Sequence, residues 1–581
     1  MALLDFKWVR SEYIISLMVK EGIITALKQI VGEKDIHLEI PQKDEFGDYS
    51  TNIAMVAFEG SRSKNPHEYA ESIIDQLKTN TKLSAVVKKM EVASPGFINF
   101  WLSKDALIDN LIEIDSQKEN YGKSKLGKKK IIFEFGQPNT HKLPHIGHLF
   151  SYVYGNSTSR ILEAAGFEIK RANYQGDIGL HVAKCLWAYQ KKNPVAPEGL
   201  EAKVKLLQEC YQEGSQAYEN DEKAKSEIDT VNRAIYSEDS KISPLWLETR
   251  SWSVRYYKEF EARLGITFDR SYFESEVYKE ALEIVKKNSP GVFHESQGAI
   301  IFPGSEYGLH DRVFINGAGG PTYEAKDLAL AKIKMKECPA DKLIVTTASE
   351  QNEYFKVLIK ALETIDPSFK GRFIHIGFGM VDLKEGKMSS RTGEFIGAIE
   401  LVNVVVGEIK EILKTRKDIS DEEKEKIAEV VGIGAVKYSF LKNNPLQNMK
   451  FDIKESISTE GNSGPYLQYT HARCQSVLAK AGKSKTFKKG TKNIETDPEE
   501  LSLLRSLIYF PEILGKAARD YTPNTICEYL HDLAQKYNAF YNKDKIIASE
   551  NEEFRLQITK ACAQILANGF DLLGIGAPEK M

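Results

Sequence analysis

Apolar positions along this chain switch between a helical period and a strand period, and the switches divide it into three parts. Over residues 11–32 hydrophobic residues recur at helical spacing. Shorter alternating runs follow, among them Met90-Glu91-Val92-Ala93 and Phe97-Ile98-Asn99-Phe100-Trp101-Leu102. This predicts a mixed α+β domain over residues 1–120, followed by a basic joint between Lys123 and Lys130. From 121 to 395, short β-branched and aromatic runs at 131–135, 342–347 and 373–378 alternate with helical stretches, the pattern of a parallel sheet with crossover helices. A charged, helix-rich stretch at about 185–300 separates the first run from the second and reads as an insertion. From 396 to 581 strands nearly vanish. The segments 396–413, 420–438, 464–481, 499–518 and 523–541 repeat at helical spacing and predict an all-α bundle. The expected class is therefore α/β, a doubly wound, Rossmann-like parallel sheet with an insertion, flanked by an α+β N-terminal domain and a helical C-terminal domain.

Composition narrows this picture without redirecting it. A chain of 581 residues with 42% hydrophobic and 28% charged residues can build several cores. No apolar run approaches the ~18 residues of a membrane span. The start, Met1-Ala2-Leu3-Leu4-Asp5-Phe6-Lys7, lacks the basic head and cleavage site of a secretory signal, so a cytoplasmic location is expected. The cysteines at 185, 210, 338, 474, 527 and 562 show neither a CxxC pair nor zinc spacing and read as reduced and structural. A net charge of −3 argues against wholesale electrostatic binding of nucleic acid but permits local basic faces, such as the lysine-rich patch at 480–492.

The candidate chemistry sits in two strings. His145-Ile146-Gly147-His148 follows the 131–135 run and precedes Leu149-Phe150-Ser151-Tyr152, so it is expected to turn into a helix beneath a strand's carboxyl end. Phosphates bind at such places: backbone N–H groups and the positive end of the helix dipole face the ligand, Gly147 permits close approach, and two imidazoles supply donors. Gly386-Lys387-Met388-Ser389-Ser390-Arg391-Thr392-Gly393 follows the last β run and is expected to be a loop whose lysine and hydroxyls close over a triphosphate. Alone, the second string reads as an exposed polar turn. In this order on one sheet the two match the crevice where doubly wound sheets hold nucleotides.

The two strings resemble the ATP-handling signatures of class I aminoacyl-tRNA synthetases, and further segments are similar to the arginyl-tRNA synthetases along essentially the whole chain. Phe133-Glu134-Phe135-Gly136-Gln137-Pro138-Asn139 resembles the segment leading to the first signature, and Tyr323-Glu324-Ala325-Lys326-Asp327 resembles a Tyr-x-x-x-Asp element. The resemblance implies catalytic roles for His145, His148 and Lys387. It implies ATP contacts from His145, Gly147, His148, Lys387, Met388, Ser389 and Ser390, and arginine contacts from Glu134, Gln137, Asn139, His148, Tyr323, Asp327 and Gln351. Helical i,i+4 spacing puts Tyr323 and Asp327 on one face, and a carboxylate with parallel acceptors suits a planar guanidinium better than an ammonium.

Two departures stand out: Gln137 replaces a serine, and Ile178 in Gly176-Asp177-Ile178-Gly179 stands where an aromatic is common. Phe46-Gly47-Asp48-Tyr49 resembles part of the family's tRNA-elbow domain, while Tyr537, Phe540 and Tyr541 lie in a stretch similar to its anticodon-binding bundle. The implied activity is two-step ligation of L-arginine to tRNA(Arg), using ATP with Mg2+, without a protein-bound metal or membrane, by a monomer. A class I ligase for another amino acid and a non-catalytic RNA-binding relative remain as rival readings.

Overall fold

In the computed structural model, Ile131, Ile132 and Phe133 are buried because Lys130–Glu134 is the central strand of a five-stranded parallel sheet. A strand covered on both faces has no solvent side, so its sequence runs apolar instead of alternating. The structure describes residues 15–41, 43–59, 61, 63–124, 129–384, 397–482 and 494–581. They divide into two compact units. One comprises the described residues of 129–163 and 167–457, the other those of 15–124, 164–166 and 458–581.

In the first unit the sheet order is Phe373–Phe378, Lys342–Ala348, Lys130–Glu134, Glu168–Gln175, Arg270–Phe273. Sequence order thus runs outward from the centre in one direction and then restarts in the other. The reversal falls between Lys130–Glu134 and Lys342–Ala348, where Val345 pairs with Glu134, and the crevice beyond those carboxyl ends is where such sheets take ligands. Leu328, Ala329, Leu358 and Leu362 pack with Ile132, Leu343 and Val345 in one buried cluster. Phe150 meets the edges of Phe378 and Phe440 at 5.1 and 5.6 Å.

Two sheet strands escaped the sequence pattern. Glu168–Gln175 mixes charged and amide side chains into its run, and Arg270–Phe273 is a short edge strand that lies inside the stretch read as an insertion. The added helical material is Leu180–Lys192, Leu200–Asn220, Glu222–Tyr236 and Ser243–Arg263. It carries small cores of its own, one around Ile178, Val182, Leu186 and Ile228, the other around Cys185, Leu207, Trp252 and Tyr257. The helices Ala398–Leu413 and Asp421–Leu441, grouped with the C-terminal bundle by their periodicity, belong to the sheet unit. Between them, Ser420 accepts from the Glu423 amide and three acids fill the first turn of the second helix, complementing its dipole. Val381–Leu383 pairs in parallel with Met449–Phe451.

The second unit joins both ends of the chain. A four-stranded antiparallel sheet, ordered Leu38–Glu39, Tyr49–Thr51, Phe97–Leu102, Val87–Ala93, shares the unit with five helices from Gly464 onward. Asp48 is the link: fully buried, it accepts from the Leu102 amide at 2.7 Å and pairs with Arg505 Nε at 3.0 Å. The segment expected to be one helix over 499–518 is two, Pro498–Ile508 and Phe510–Asp520. Pro511, with no N–H to give, is accommodated in the first turn of the second. Tyr537 and Phe540 are core side chains, which leaves Tyr541 as the exposed aromatic of that trio. No helix of the described residues is long and apolar enough to cross a membrane.

Candidate active site

The Ile146–Ala164 helix starts without a Ser, Thr, Asp or Asn cap, and its two histidines serve instead. The amides of Gly147 and His148 donate to His145 Nδ1 at 3.1 and 3.4 Å, and the His145 amide donates to His148 Nδ1 at 3.2 Å. Each Nδ1 therefore acts as an acceptor, so a neutral ring carries its proton on Nε2. Burial holds both rings below the usual histidine range, His148 down to about 3, with His145 and Lys142 adding to the effect. At pH 7 the site holds two neutral imidazoles, their rings 3.7 Å apart.

The loop between the central strand and this helix is held from below. Gly136 N donates to Ser151 Oγ and Gln137 N to Asn173 Oδ1, both at 3.0 Å. Gln137 has φ +57°, a left-handed conformation that a non-glycine residue keeps only when its surroundings fix it. Asn173 is itself oriented by Glu261, which accepts from Asn173 Nδ2 at 3.1 Å and from the Tyr152 hydroxyl at 2.9 Å. Burial pushes the Glu261 carboxyl up to about 7. Asn139 forms a parallel bridge with Gly176.

Glu134, expected to add an acid to the amino-acid pocket, already has a cation. It is ion-paired with buried Lys334 of the Tyr323–Glu337 helix and accepts from Gln137 Nε2 at 2.7 Å. The lysine pairing, between positions far apart in sequence, carried no local signal.

At the start of that helix Tyr323 is 62% exposed, while Asp327, one turn on, is half-buried. Burial raises the Asp327 carboxyl to about 7, against the hydrogen bond from Tyr354, with Glu274 pushing the same way as burial and Lys326 opposing. Tyr354 donates to Asp327 Oδ2 at 2.5 Å. Lys326 is spoken for by Glu274 at 2.6 Å, both buried, and lies 4.5 Å from the Tyr323 ring centroid. Gln351 is exposed in the short turn between Lys342–Ala348 and the Asn352–Ile365 helix that carries Tyr354. Tyr354 is three residues beyond Gln351 in the sequence, and its partner could not be seen from spacing.

Ile178 points into the helical core with Val182 and Ile228. Its neighbour Asp177 is buried and bound by Arg250 Nε at 2.6 Å and Ser275 Oγ at 2.6 Å. Other histidines hold the frame: His141 reaches Thr140 and Thr249 at 2.9 Å each, and His375 stacks on Phe355 at 3.9 Å. On one flank of His145 a cavity of about 540 Å³ is lined by Lys142, Pro144, Lys205, Gln208, Tyr256 and Asn403, among others.

Lys387, Met388, Ser389 and Ser390 lie outside the described residues, but both flanks of their segment are fixed. Lys384 N donates to Phe451 O at 2.9 Å and its Nζ pairs with Asp452 at 2.8 Å. Gly397 bridges His145, and Ala398 N donates to Pro144 O at 2.8 Å. Among the described residues, Asp497, Glu499 and Asp544 have oxygens close enough to share a cation, yet Arg555 and Lys543 already pair with them.

The geometry thus sets a neutral-imidazole turn and a guarded carboxylate at the switch point of a doubly wound sheet. Known proteins resemble the chain over all of its domains. The family model for the catalytic domain of class I tRNA synthetases (R) matches residues 110–453, that for the DALR anticodon-binding domain 467–581, and that for the arginyl-tRNA synthetase N-terminal domain 17–102. The arginine–tRNA ligase of Treponema denticola is 33% identical, covering 94% of this chain and 95% of its own length. That of Bacteroides thetaiotaomicron is 31% identical over 96% and 98%. The arginyl-tRNA synthetase structure from Thermus thermophilus superposes with a TM-score of 0.81 at 26% identity, covering 97% of this chain and 100% of its own. Family models and full-length relatives agree, and the chain belongs to the arginyl-tRNA synthetases of class I.

Proposed function

We propose that the chain joins L-arginine to tRNA(Arg) in two steps. In the first, an oxygen of the arginine carboxylate attacks the α-phosphorus of ATP, forming arginyl-adenylate as the bond to pyrophosphate breaks. In the second, the 2′-hydroxyl of the terminal tRNA ribose attacks the mixed anhydride and AMP leaves. Mg2+ arrives with ATP as part of that substrate. No protein base is needed in the first step, so positioning and charge stabilisation carry it.

The observation that carries this reading is Asp327, a half-buried carboxylate held by Tyr354 and flanked by Tyr323, beside the reversal of the sheet. A guanidinium entering there would pair with the carboxylate and favour its ionised form. Among the described residues, Glu134 and Glu274 are paired with lysines and Glu324 with Arg312, whereas Asp327 is held by a tyrosine hydroxyl. Neutral His145 and His148 offer Nε2–H donors to the phosphates without adding charge, and Gln137 and Asn139 serve the α-amino and carboxylate ends. Lys387, Met388, Ser389 and Ser390 act on the triphosphate, and Gln351 completes the guanidinium contacts. Residues up to about 120 serve the tRNA elbow, and the helices from Gly464 onward serve the anticodon. The protein works as a cytoplasmic monomer.

Charging of a mixed tRNA pool with each amino acid in turn tests the reading. Arginine alone is expected to be attached, and Asp327→Asn is expected to abolish most of that use. Full activity of Asp327→Asn would point to another amino acid, and no charging with any would point to a non-catalytic relative. Lys387→Ala is expected to slow adenylate formation with arginine binding nearly intact.

A further inference from the structure

We propose that Tyr354 is a positioning residue for substrate selection: its phenol pins Oδ2 of Asp327, so the carboxylate meets the guanidinium in one fixed orientation. This rests on the assignment of Asp327 to arginine and extends it to the residue that holds that carboxylate.

An aspartate carboxylate rotates over a broad, two-fold torsion, and a bidentate pair with a planar guanidinium forms only when its plane is set. Asp327 and Tyr354 stand on different helices, Tyr323–Glu337 and Asn352–Ile365, so their 2.5 Å contact is tertiary and independent of the i,i+4 relation with Tyr323. The phenol ring is itself held. The Phe355 ring meets it edge-on at 5.0 Å, and the Arg312 guanidinium lies 5.5 Å from its centroid while donating to Glu324 at 3.3 Å.

Among the described residues, charged and titratable groups face Asp327 from several elements, Tyr323 of its own helix among them. The same helix brings Glu324 and Lys326, the latter bound to Glu274, and the neighbouring strand brings Tyr174. From the next helix comes Tyr354, whose hydrogen bond is the one that favours the ionised carboxylate by direct donation. Tyr354→Phe removes that donor with little change of volume.

The test is steady-state aminoacylation by the full chain at saturating tRNA and ATP, from pH 6 to 9. For the wild type, kcat/KM for arginine is expected to fall as pH drops through about 7, as Asp327 takes up a proton. Tyr354→Phe is expected to raise the arginine KM roughly tenfold at pH 7, the worth of a hydrogen bond to a charged group. It should also move the midpoint to higher pH, narrow the difference at pH 9, and leave kcat and the ATP KM alone. An equal KM increase at every pH, with the midpoint unmoved, would reduce Tyr354 to a packing residue and overturn the proposal. So would an unchanged KM, provided Asp327→Ala raises it. If Asp327→Ala also leaves the arginine KM unchanged, the assignment of Asp327 falls, and the proposal with it.

Discussion

Gly176 leaves room for the side chain of Asn139: a Cβ on it would stand 2.2 Å from Asn139 Oδ1. The loop after the central strand and the end of the next strand can therefore lie side by side, with Thr140 N donating to Gly176 O at 2.8 Å. Gly176→Ala must push the amide away or spread the strands, an overpacking of about 1–3 kcal/mol. The expected outcome is a rise of roughly tenfold in the arginine KM with a folded protein. Unaltered arginine kinetics in that variant would show that Asn139 does not serve the ligand.

His141 gives the fold a dependence on acid. It is fully buried, and burial lowers its pKa to about 3. The unfolded chain binds its proton near pH 6.5, so between the two values unfolding takes up a proton. The stabilisation is complete above pH 6.5 and drains away as pH falls, by ~1.4 kcal/mol per pH unit from this group. Denaturant unfolding at pH 7, 6 and 5 should show a shallower pH dependence for His141→Asn than for the wild type. Parallel slopes would mean that the ring is already protonated in the native state.

Ile178 separates ligand wall from core. It packs with Val182 and Ile228, so Ile178→Ala is expected to lower stability by ~2–5 kcal/mol through the cavity it leaves. Arginine KM should hardly change at a temperature where the variant is folded. A large KM effect with normal stability would return the position to the ligand.

In the second unit, the Arg473 guanidinium lies 4.9 Å from the Tyr469 ring centroid and 4.8 Å from that of Tyr541. These rings are 41% and 38% exposed. An arginine between two exposed rings is a platform on which an unpaired base can stack. Tyr541→Ala is expected to weaken tRNA binding by ~1–3 kcal/mol at fixed salt, measured by titration. Tyr537→Phe, inside the core, should leave that affinity alone. Equal affinities for all three proteins would exclude the platform from the RNA site.

What could be read from the sequence was what local order encodes. The apolar run at 131–133 and the turn at His145–His148 reveal themselves within a few residues, whereas Tyr323 and Asp327 were named by the resemblance and their i,i+4 spacing only put them on one helical face. Glu168–Gln175 did not reveal itself, because Arg171 and Asn173 are polar for tertiary reasons: Arg171 bonds Ser159 and Glu163, and Asn173 supports Gln137. Tyr354 on Asp327 and Lys334 on Glu134 likewise arise only when two helices and a strand are packed together. Tyr537, Phe540 and Tyr541 show the same limit in reverse. Helical spacing marked a face of aromatics but not which of them the neighbouring helices would cover.

The clasp of Gly397 on His145 and the anchoring of Lys384 at Asp452 turn a question of recognition into one of tether length. Lys387 is three residues beyond one anchor, so its backbone can stray at most ~11 Å from it. Ser390, seven residues before the other, stays within ~25 Å of Gly397. Lengthening the 385–396 segment between these two anchors, with every side chain retained, is therefore expected to slow adenylate formation, read by ATP–pyrophosphate exchange.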